Sequence, residues 1–137
     1  RLSGKVVLIT GAGRGQGAAH ARLAACEGAT VIVTDVREDE AAAVAAAIGP
    51  SAWHCWLDVS DAAGWDDVFT LIAKRHGRLD GLVNNAGIAV FAPLMETSET
   101  DWRRVLDVNL GGVIHGSRGL SRSTRPAPTL ACSAPPR

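Results

Sequence analysis

A glycine-rich segment close to the amino terminus has the residue types and spacing that suit phosphate binding. It spans residues 10–17 and reads TGAGRGQG. Glycines permit a tight turn and let the backbone approach a pyrophosphate, while a following helix presents free N–H groups at the positive end of its dipole. Gly11, Gly15 and Gly17 are therefore candidate binding residues, and Arg14 either adds a charge to the phosphates or is solvated. A flexible turn is the alternative, but a position between a strand and a helix favours the phosphate site.

An acidic residue follows at the separation that is typical of ribose binding. Asp35 comes directly after a β-branched run, and an acidic residue about 20 residues past such a turn can accept both hydroxyls of the adenosine ribose. Its charge would repel a 2′-phosphate, which favours NAD over NADP. Arg37 is the one indication in the other direction, although it also fits a solvated position at a helix start. The alternative role for Asp35 is to cap the helix that begins near Glu38.

Polar residues also follow the next two apolar runs. Asp58 and Val59 come after one of them, and residues 84–87 (NNAG) come after the other. Ligands of parallel sheets bind at the carboxyl ends of the strands, so these residues should meet the glycine turn on one face. Asn109 lies farther along, on the same inward helical stripe as Trp102. It is either a site residue or a core asparagine with satisfied hydrogen bonds.

The elements that must position these residues alternate between strand and helix over about the first 120 residues. Short apolar runs suit parallel strands that are covered on both faces, and alanine-rich or 3.6-periodic segments suit helices. The predicted strands are residues 5–10, 30–34, 52–57 and 79–84. The acids at positions 38–40 suit the positive end of a helix, and Ser98 with Asp101 forms a capping pattern. One apolar stripe at helical spacing precedes a possible left-handed cap at Gly77, and its members are Trp65, Val68, Phe69 and Ile72. The predicted helices are about 15–27, 38–48 and 61–76, with a last one that begins after Ser98 and continues, with a break, to Leu120. This order implies an α/β fold with a parallel sheet, right-handed crossovers and strand order 3-2-1-4.

Composition and charge exclude several classes of function. The 14 Lys and Arg balance the 14 Asp and Glu, so no basic surplus indicates nucleic acid or an anionic membrane as a partner. Three scattered cysteines without a CxxC pair argue against a disulfide framework and against a zinc site, and they fit a reducing, cytoplasmic compartment. The longest apolar run near the start is too short for a signal peptide or a membrane span.

The last stretch, residues 121–137, differs from the rest of the sequence. It holds four of the six prolines and three arginines, and it has neither a helical nor a strand period. We predict a disordered tail there, with a proline-rich ligand motif as the alternative, although no clean PxxP stands in it. The predicted organisation is therefore a nucleotide-binding half-domain over residues 1–120 and a tail over residues 121–137.

Together the motifs resemble the short-chain dehydrogenase/reductase family. TGAGRGQG fits the TGxxxGxG turn of the family, Asp58-Val59 its adenine-contacting pair, NNAG its fourth-strand motif and DVNLGGV its asparagine-bearing helix. The resemblance runs from about Leu2 to Leu120, and several segments are most similar to the bacterial 3α/20β-hydroxysteroid dehydrogenase-like branch. It implies a Rossmann-type doubly wound parallel sheet, here incomplete because the later strands of the family are missing.

The resemblance also implies a reaction, which is hydride transfer between nicotinamide and an alcohol or ketone, with steroid-like substrates as one option. The residues implied for the cofactor are Gly11, Arg14, Gly15, Gln16 and Gly17 at the phosphates, Asp35 at the ribose, Asp58 and Val59 at the adenine, and Asn85, Ala86 and Gly87 near the nicotinamide ribose. Asn109 would be the asparagine of an Asn-Ser-Tyr-Lys tetrad, holding a water that relays protons to the lysine.

The sequence departs from the family pattern after Leu120. The serine of the family ends a fifth strand and its YxxxK motif follows, whereas these 137 residues contain no tyrosine and have lysine only at positions 5 and 74. The mechanism needs a phenol to exchange a proton with the substrate oxygen, and no other residue replaces it. We therefore expect no turnover from this chain alone. A frame shift or a truncated gene model would explain the abrupt change in composition.

Three functions remain open from the sequence. The first is a dehydrogenase of which this chain is part, the second is a non-catalytic dinucleotide-binding module, and the third is a scaffold without a nucleotide site. The expected partners are a nicotinamide dinucleotide and, in the complete family member, a small alcohol or ketone. The family is usually homo-oligomeric through a helix that lies beyond the resemblance, so we expect this chain not to assemble normally.

Overall fold

A four-stranded parallel sheet organises residues 1–123, the part of the chain that the computed structural model describes. The strands are β1 (Val6–Thr10), β2 (Thr30–Asp35), β3 (Ala52–Trp56) and β4 (Gly81–Val83). The helices are α1 (Gly15–Cys26), α2 (Glu38–Ile48), α3 (Ala62–His76), α4 (Glu99–Leu106) and α5 (Gly112–Ser123), with a 3₁₀ turn at Leu94–Glu96 and a π-helical turn at Asp107–Gly111. None of these helices is long and apolar enough to cross a membrane.

The strands lie in the order β3-β2-β1-β4, which confirms the order predicted from the sequence. β1 is central and is buried along its whole length. Its alternate residues belong to two separate apolar layers. Val7 and Ile9 pack on the side of α1 and α2, while Val6 and Leu8 pack on the side of α3. Burial on both faces explains why β1 has a continuous apolar sequence rather than an alternating one.

The predicted apolar stripe of α3 and the glycine at its end are confirmed, and the structure adds a cap at its start. The Asp61 side chain caps the helix by accepting a hydrogen bond from the backbone N–H of Ala63. Gly77 ends it in the left-handed conformation, with φ of +71°. All members of its predicted apolar stripe are buried, namely Trp65, Val68, Phe69 and Ile72. This stripe forms the second apolar layer of the sheet, so its 3.6-residue period predicted both the helix and its buried face.

β4 is shorter than the predicted span of residues 79–84, and side-chain oxygens accept backbone N–H groups at both of its ends. Before the strand, Asp80 Oδ2 accepts the backbone N–H of Val6 at 2.9 Å. After it, Thr10 Oγ1 accepts the backbone N–H groups of Asn85 and Ala86. These contacts hold β4 against β1 without extending the regular strand.

The final helical segment has the predicted break but not the predicted buried face. The break is the π-helical turn between α4 and α5, and α5 continues to Ser123. The rest of the predicted tail, residues 124–137, lies outside the described residues. The expected inward stripe is wrong for α4, in which no residue is buried and Trp102 is 43% exposed. No element among residues 1–123 covers this face, so its apolar side chains face outward.

Candidate functional site

A groove of about 420 Å³ lies at the carboxyl ends of the strands. Most residues predicted to bind the cofactor line it together, namely Gly11, Arg14, Gly15, Gln16, Asp35, Asp58, Val59, Asn85, Ala86 and Gly87. Two others do not line it. Gly17 lies behind the glycine turn, and Asn109 lies on the π-helical turn and contacts the groove through Ile88. The sheet therefore gathers sequence-distant segments at one edge, as expected for a parallel sheet.

The glycine turn packs so closely that side chains would not fit at two of its positions. Gly11 has φ of +60°, and a Cβ there would lie 2.7 Å from the Cα of Ala86. A Cβ on Gly17 would lie 2.3 Å from the carbonyl oxygen of Gly11. Gly17 thus allows α1 to start directly against the end of β1, which brings the helix amino terminus to the groove.

The amino terminus of α1 suits an anion. Arg14 occupies the N-cap position and makes no side-chain capping hydrogen bond, and no acidic residue stands in the first turn. The first-turn N–H groups therefore have no capping side chain as an acceptor, and the helix dipole makes this end positive. Gly15 and Gln16 of this turn line the groove. A pyrophosphate fits the chemistry of this end.

The Asp35 carboxylate is oriented by two backbone N–H groups. Its Oδ2 accepts from Gly13 at 3.0 Å and its Oδ1 from Arg37 at 3.1 Å. Each carboxylate oxygen has capacity for a further donor, so two ribose hydroxyls could bind. Arg37, rather than Asp35, is the N-cap residue of α2. The alternative role of Asp35 is thus limited to one hydrogen bond just before that helix.

The segment after β3 forms a tight turn at the wall of the groove. Asp58 Oδ1 accepts from both the N–H and the hydroxyl of Ser60, at 2.9 and 2.7 Å. The Val59 side chain is buried, and a Cβ on Gly112 of α5 would lie 2.8 Å from its Cβ. The Val59 carbonyl accepts the indole N–H of Trp65 at 2.9 Å. These bonds fix Asp58 at the groove while α5 closes behind Val59.

Thr10 is a residue of the site that the sequence analysis did not single out. Its side chain is buried, and its Oγ1 donates to the Val83 carbonyl while it accepts the N–H groups of Asn85 and Ala86. The Asn85 side chain in turn donates to the carbonyls of Thr10 and Gly11, at 3.0 Å each. The end of β4 is therefore tied to the glycine turn. The sequence signal that could have identified Thr10 is a polar residue at the end of a buried apolar run.

Asn109 forms a two-way hydrogen-bonded pair with the backbone of Ile88. Its Oδ1 accepts the N–H at 2.8 Å and its Nδ2 donates to the carbonyl at 2.9 Å. Ile88 lines the groove next to Gly87, so Asn109 supports the loop that follows the NNAG motif. Its hydrogen bonds are satisfied, as in the structural alternative, but the residue is exposed rather than part of the core. Single-turn π-helical insertions are frequent at functional sites.

The described cysteines and acidic residues do not form a metal centre. No group of three or more His, Cys, Asp or Glu residues that could hold a metal ion occurs among residues 1–123. Cys26 and Cys55 are both free thiols. Burial raises the pKa of the Cys55 thiol to about 11, although the nearby charge of Arg75 opposes this. Cys55 is therefore protonated near neutral pH and is a weak nucleophile.

Comparison with known proteins identifies relatives over nearly the whole chain. The family model described as short chain dehydrogenase matches residues 5–126. A 3-alpha-(or 20-beta)-hydroxysteroid dehydrogenase of Mycobacterium bovis is 40% identical over 127 residues, which cover 93% of this chain and 49% of that protein. A galactitol 2-dehydrogenase of Agrobacterium fabrum is 44% identical over 121 residues, which cover 88% of this chain and 47% of that protein.

Solved structures show the same arrangement of elements. A 3-ketoacyl-(acyl-carrier-protein) reductase from Brucella melitensis, complexed with NADH, matches with a TM-score of 0.87 and 35% identity over 90% of this chain and 51% of that one. The chain thus spans about half the length of the relatives that it matches. The matched family and the shared Rossmann-type sheet lead to one conclusion: the chain belongs to the short-chain dehydrogenase family.

Proposed function

We propose that this chain forms the NAD-binding part of an oxidoreductase that transfers a hydride between nicotinamide and an alcohol or ketone. The observation that carries the proposal is the Asp35 carboxylate, which two backbone N–H groups orient at the groove. A carboxylate held in this way suits two ribose hydroxyls and would repel a 2′-phosphate, so NAD is preferred to NADP. Bound NAD supplies the hydride acceptor, and the residues of this chain bind and orient it.

Each predicted residue has a proposed role in that groove. The first turn of α1, with Gly11, Arg14, Gly15, Gln16 and Gly17 at or beside it, would bind the pyrophosphate through backbone N–H groups and a positive dipole. Asp58 and Val59 would contact the adenine. The loop of Asn85, Ala86 and Gly87 would lie near the nicotinamide ribose, where Asn109 fixes the following residue, Ile88. In the complete enzyme Asn109 would also hold the water that relays protons.

The names of the relatives support the substrate class. They include a hydroxysteroid dehydrogenase, a galactitol 2-dehydrogenase and a cyclopentanol dehydrogenase, whose named substrates all carry hydroxyl groups. We propose a secondary alcohol or its ketone as the substrate of the whole protein, which we expect to be homo-oligomeric. Free cysteines at Cys26 and Cys55 support a reducing compartment such as the cytoplasm.

Binding and turnover should separate in this chain. Its 137 residues contain no tyrosine that could exchange a proton with the substrate. The polypeptide should therefore produce no NADH, even though we expect it to bind NAD through the groove. If a natural protein of this length behaved in that way, it would be a non-catalytic dinucleotide-binding module instead.

The test combines calorimetry with an assay for NADH. The purified chain is titrated with NAD and with NADP, and NADH absorbance is then followed with a panel of secondary alcohols. We expect binding of NAD, at least about tenfold weaker binding of NADP, and no NADH formation. Equal affinity for both cofactors would contradict the assigned role of Asp35. NADH formation would contradict the expected lack of turnover.

A further inference from the structure

Glu40, in the first turn of α2, packs beneath the glycine turn. A Cβ on Gly13 would lie 2.9 Å from the Cβ of Glu40 and 3.0 Å from Asp35 Oδ2. Both acidic side chains therefore pack closely against Gly13. Glu40 does not itself line the groove, whereas Asp35 does. Glu40 is therefore close enough to influence the ribose end of the groove without contacting a ligand there.

The Glu40 carboxylate lies between two arginines that line the groove. Its Oε1 accepts a hydrogen bond from Arg37 Nη1 at 2.8 Å. Its Oε2 is 4.0 Å from Arg14 Nε. This oxygen is buried and has no hydrogen-bond partner within residues 1–123. Arg14 belongs to the glycine turn and Arg37 to the segment after β2, so one carboxylate attracts cations from both sides of the ribose end.

A 2′-phosphate at the ribose would need a cation to offset the charge of Asp35. Arginine binds phosphate well because its planar fork can donate two parallel hydrogen bonds. Arg14 and Arg37 line the groove beside Asp35. Glu40 holds Arg37 by a hydrogen bond, whereas Arg14 is 70% exposed and lies 4.0 Å away, so its attraction to Glu40 is weak. We propose that Glu40 is a specificity-determining residue, which strengthens the preference for NAD by keeping the Arg37 guanidinium group from a 2′-phosphate. This inference rests on the proposed function, in which Asp35 binds the adenosine ribose.

The strength of the Arg37–Glu40 ion pair indicates a moderate effect of Glu40 on the relative affinity for NADP. The pKa of Arg37 is raised, chiefly by its hydrogen bond to Glu40 and then by the charge of that carboxylate, while desolvation opposes the shift. The Arg37 and Glu40 side chains are 47% and 32% exposed, so water and salt weaken their attraction. A 2′-phosphate could therefore compete with Glu40 for Arg37, but Arg37 would lose its contact with Glu40 when it bound the phosphate.

The experiment measures binding rather than activity. NAD and NADP are titrated calorimetrically into the unsubstituted chain, Glu40→Gln and the control Glu38→Gln, which removes the same charge from the same helix turn. We expect Glu40→Gln to strengthen NADP binding about tenfold relative to NAD, and Glu38→Gln to change the ratio less than about twofold. With Arg37→Ala added to Glu40→Gln, most of that gain should disappear.

The outcomes separate the inference from the proposed function. NAD binding with an unchanged ratio in Glu40→Gln, or an equal change in Glu38→Gln, would overturn the role of Glu40 alone. Failure of the unsubstituted chain to bind NAD would overturn the proposed function and this inference with it. If circular dichroism shows that Glu40→Gln is unfolded, Glu40→Asp is used, since it shortens the reach to Arg37. A smaller gain in relative NADP affinity supports the proposal, and no gain overturns it.

Discussion

Two regions of the molecule differ in where their apolar side chains find partners. In the sheet region, residues 5–87, the central residues Leu8 and Ile9 are completely buried. In the arm, residues 88–123, the side chains of Phe91 and Met95 are 97% and 94% exposed. The arm is attached through α5, where a Cβ on Gly116 would lie 2.6 Å from the indole of Trp65.

The difference shows which part of the site is self-contained. The glycine turn, Asp35 and Asp58 are held by contacts within the sheet region. The arm contributes Asn109 and a helix that packs on α3, but much of its apolar surface has no cover among residues 1–123. We therefore expect the nucleotide end of the groove to be formed in this chain, and substitutions in the two regions to have unequal effects.

The largest expected difference is between two tryptophans. Trp65 is 2% exposed, stacks on Phe69 and donates to the Val59 carbonyl. Trp65→Ala should lower the free energy of unfolding by about 3–5 kcal/mol, since it removes a large buried ring. Trp102→Ala, its counterpart in the arm, should cost less than about 1 kcal/mol. Denaturation in urea measures both, and similar losses would contradict the division into two regions.

The next largest effect concerns the close contact at the start of α1. Gly17→Ala should cost about 3 kcal/mol, because its Cβ would overlap the carbonyl oxygen of Gly11. It should also weaken NAD binding by displacing the helix amino terminus. Gly81→Ala is the matched control, since a Cβ there meets Val7 at an ordinary 3.6 Å. Thermal unfolding measures the stability of the two variants, and calorimetry measures their affinity for NAD. If Gly17→Ala were as stable as Gly81→Ala, the close contact at the start of α1 would not be required.

A smaller effect separates two buried threonines of neighbouring strands. Thr10→Val leaves two backbone N–H groups, those of Asn85 and Ala86, without their acceptor and should cost about 2 kcal/mol. Thr34→Val removes a single donor to the Ile9 carbonyl and should cost about 1 kcal/mol. The measured order of the two losses decides whether Thr10 is the link between β4 and the glycine turn; a larger loss at Thr34 speaks against it.

The smallest effect is a pH dependence where β4 begins. The hydrogen bond from the Val6 N–H, followed by the charges of Arg78 and Lys5, holds the pKa of Asp80 below its ordinary value of 3.8, against the effect of burial. A lowered pKa stabilises the fold above the ordinary value, and this stability is lost as the pH falls through the folded-state pKa. Lowering the pH from about 5 to below about 3 should therefore reduce the free energy of unfolding more in the unsubstituted chain than in Asp80→Asn. If the stability of the two proteins fell equally with pH, Asp80 would not be a source of this pH dependence.

Much of the sheet region could be predicted from the sequence because its patterns are local. The apolar run of β1, the period of α3 and the stop at Gly77 each determine their element from neighbouring residues. In the arm, the capping pair of Ser98 and Asp101 is a local pattern of the same kind, and the Asp101 N–H donates to the Ser98 hydroxyl at 3.1 Å. The strand order then followed from general rules of parallel sheets.

The remaining features depend on contacts between distant segments. The ends of β4 are determined by Thr10 and Asp80, whose bonds join residues more than 70 positions apart. The outward face of α4 could not be predicted, since its apolar period indicates a buried stripe but not whether a partner lies over it. Glu40 looked like an ordinary helix-start acid, and only the fold brings it between Arg14 and Arg37.

The central claim is that the sheet region of this chain forms a working adenosine site around Asp35. The most direct test is calorimetric titration of NAD into the unsubstituted chain, Asp35→Ala and the control Asp39→Ala, each checked for folding by circular dichroism. The account predicts that the unsubstituted chain and Asp39→Ala bind NAD alike, and that Asp35→Ala binds at least about tenfold more weakly. Equal affinity in a folded Asp35→Ala, or no NAD binding by the folded unsubstituted chain, would contradict it.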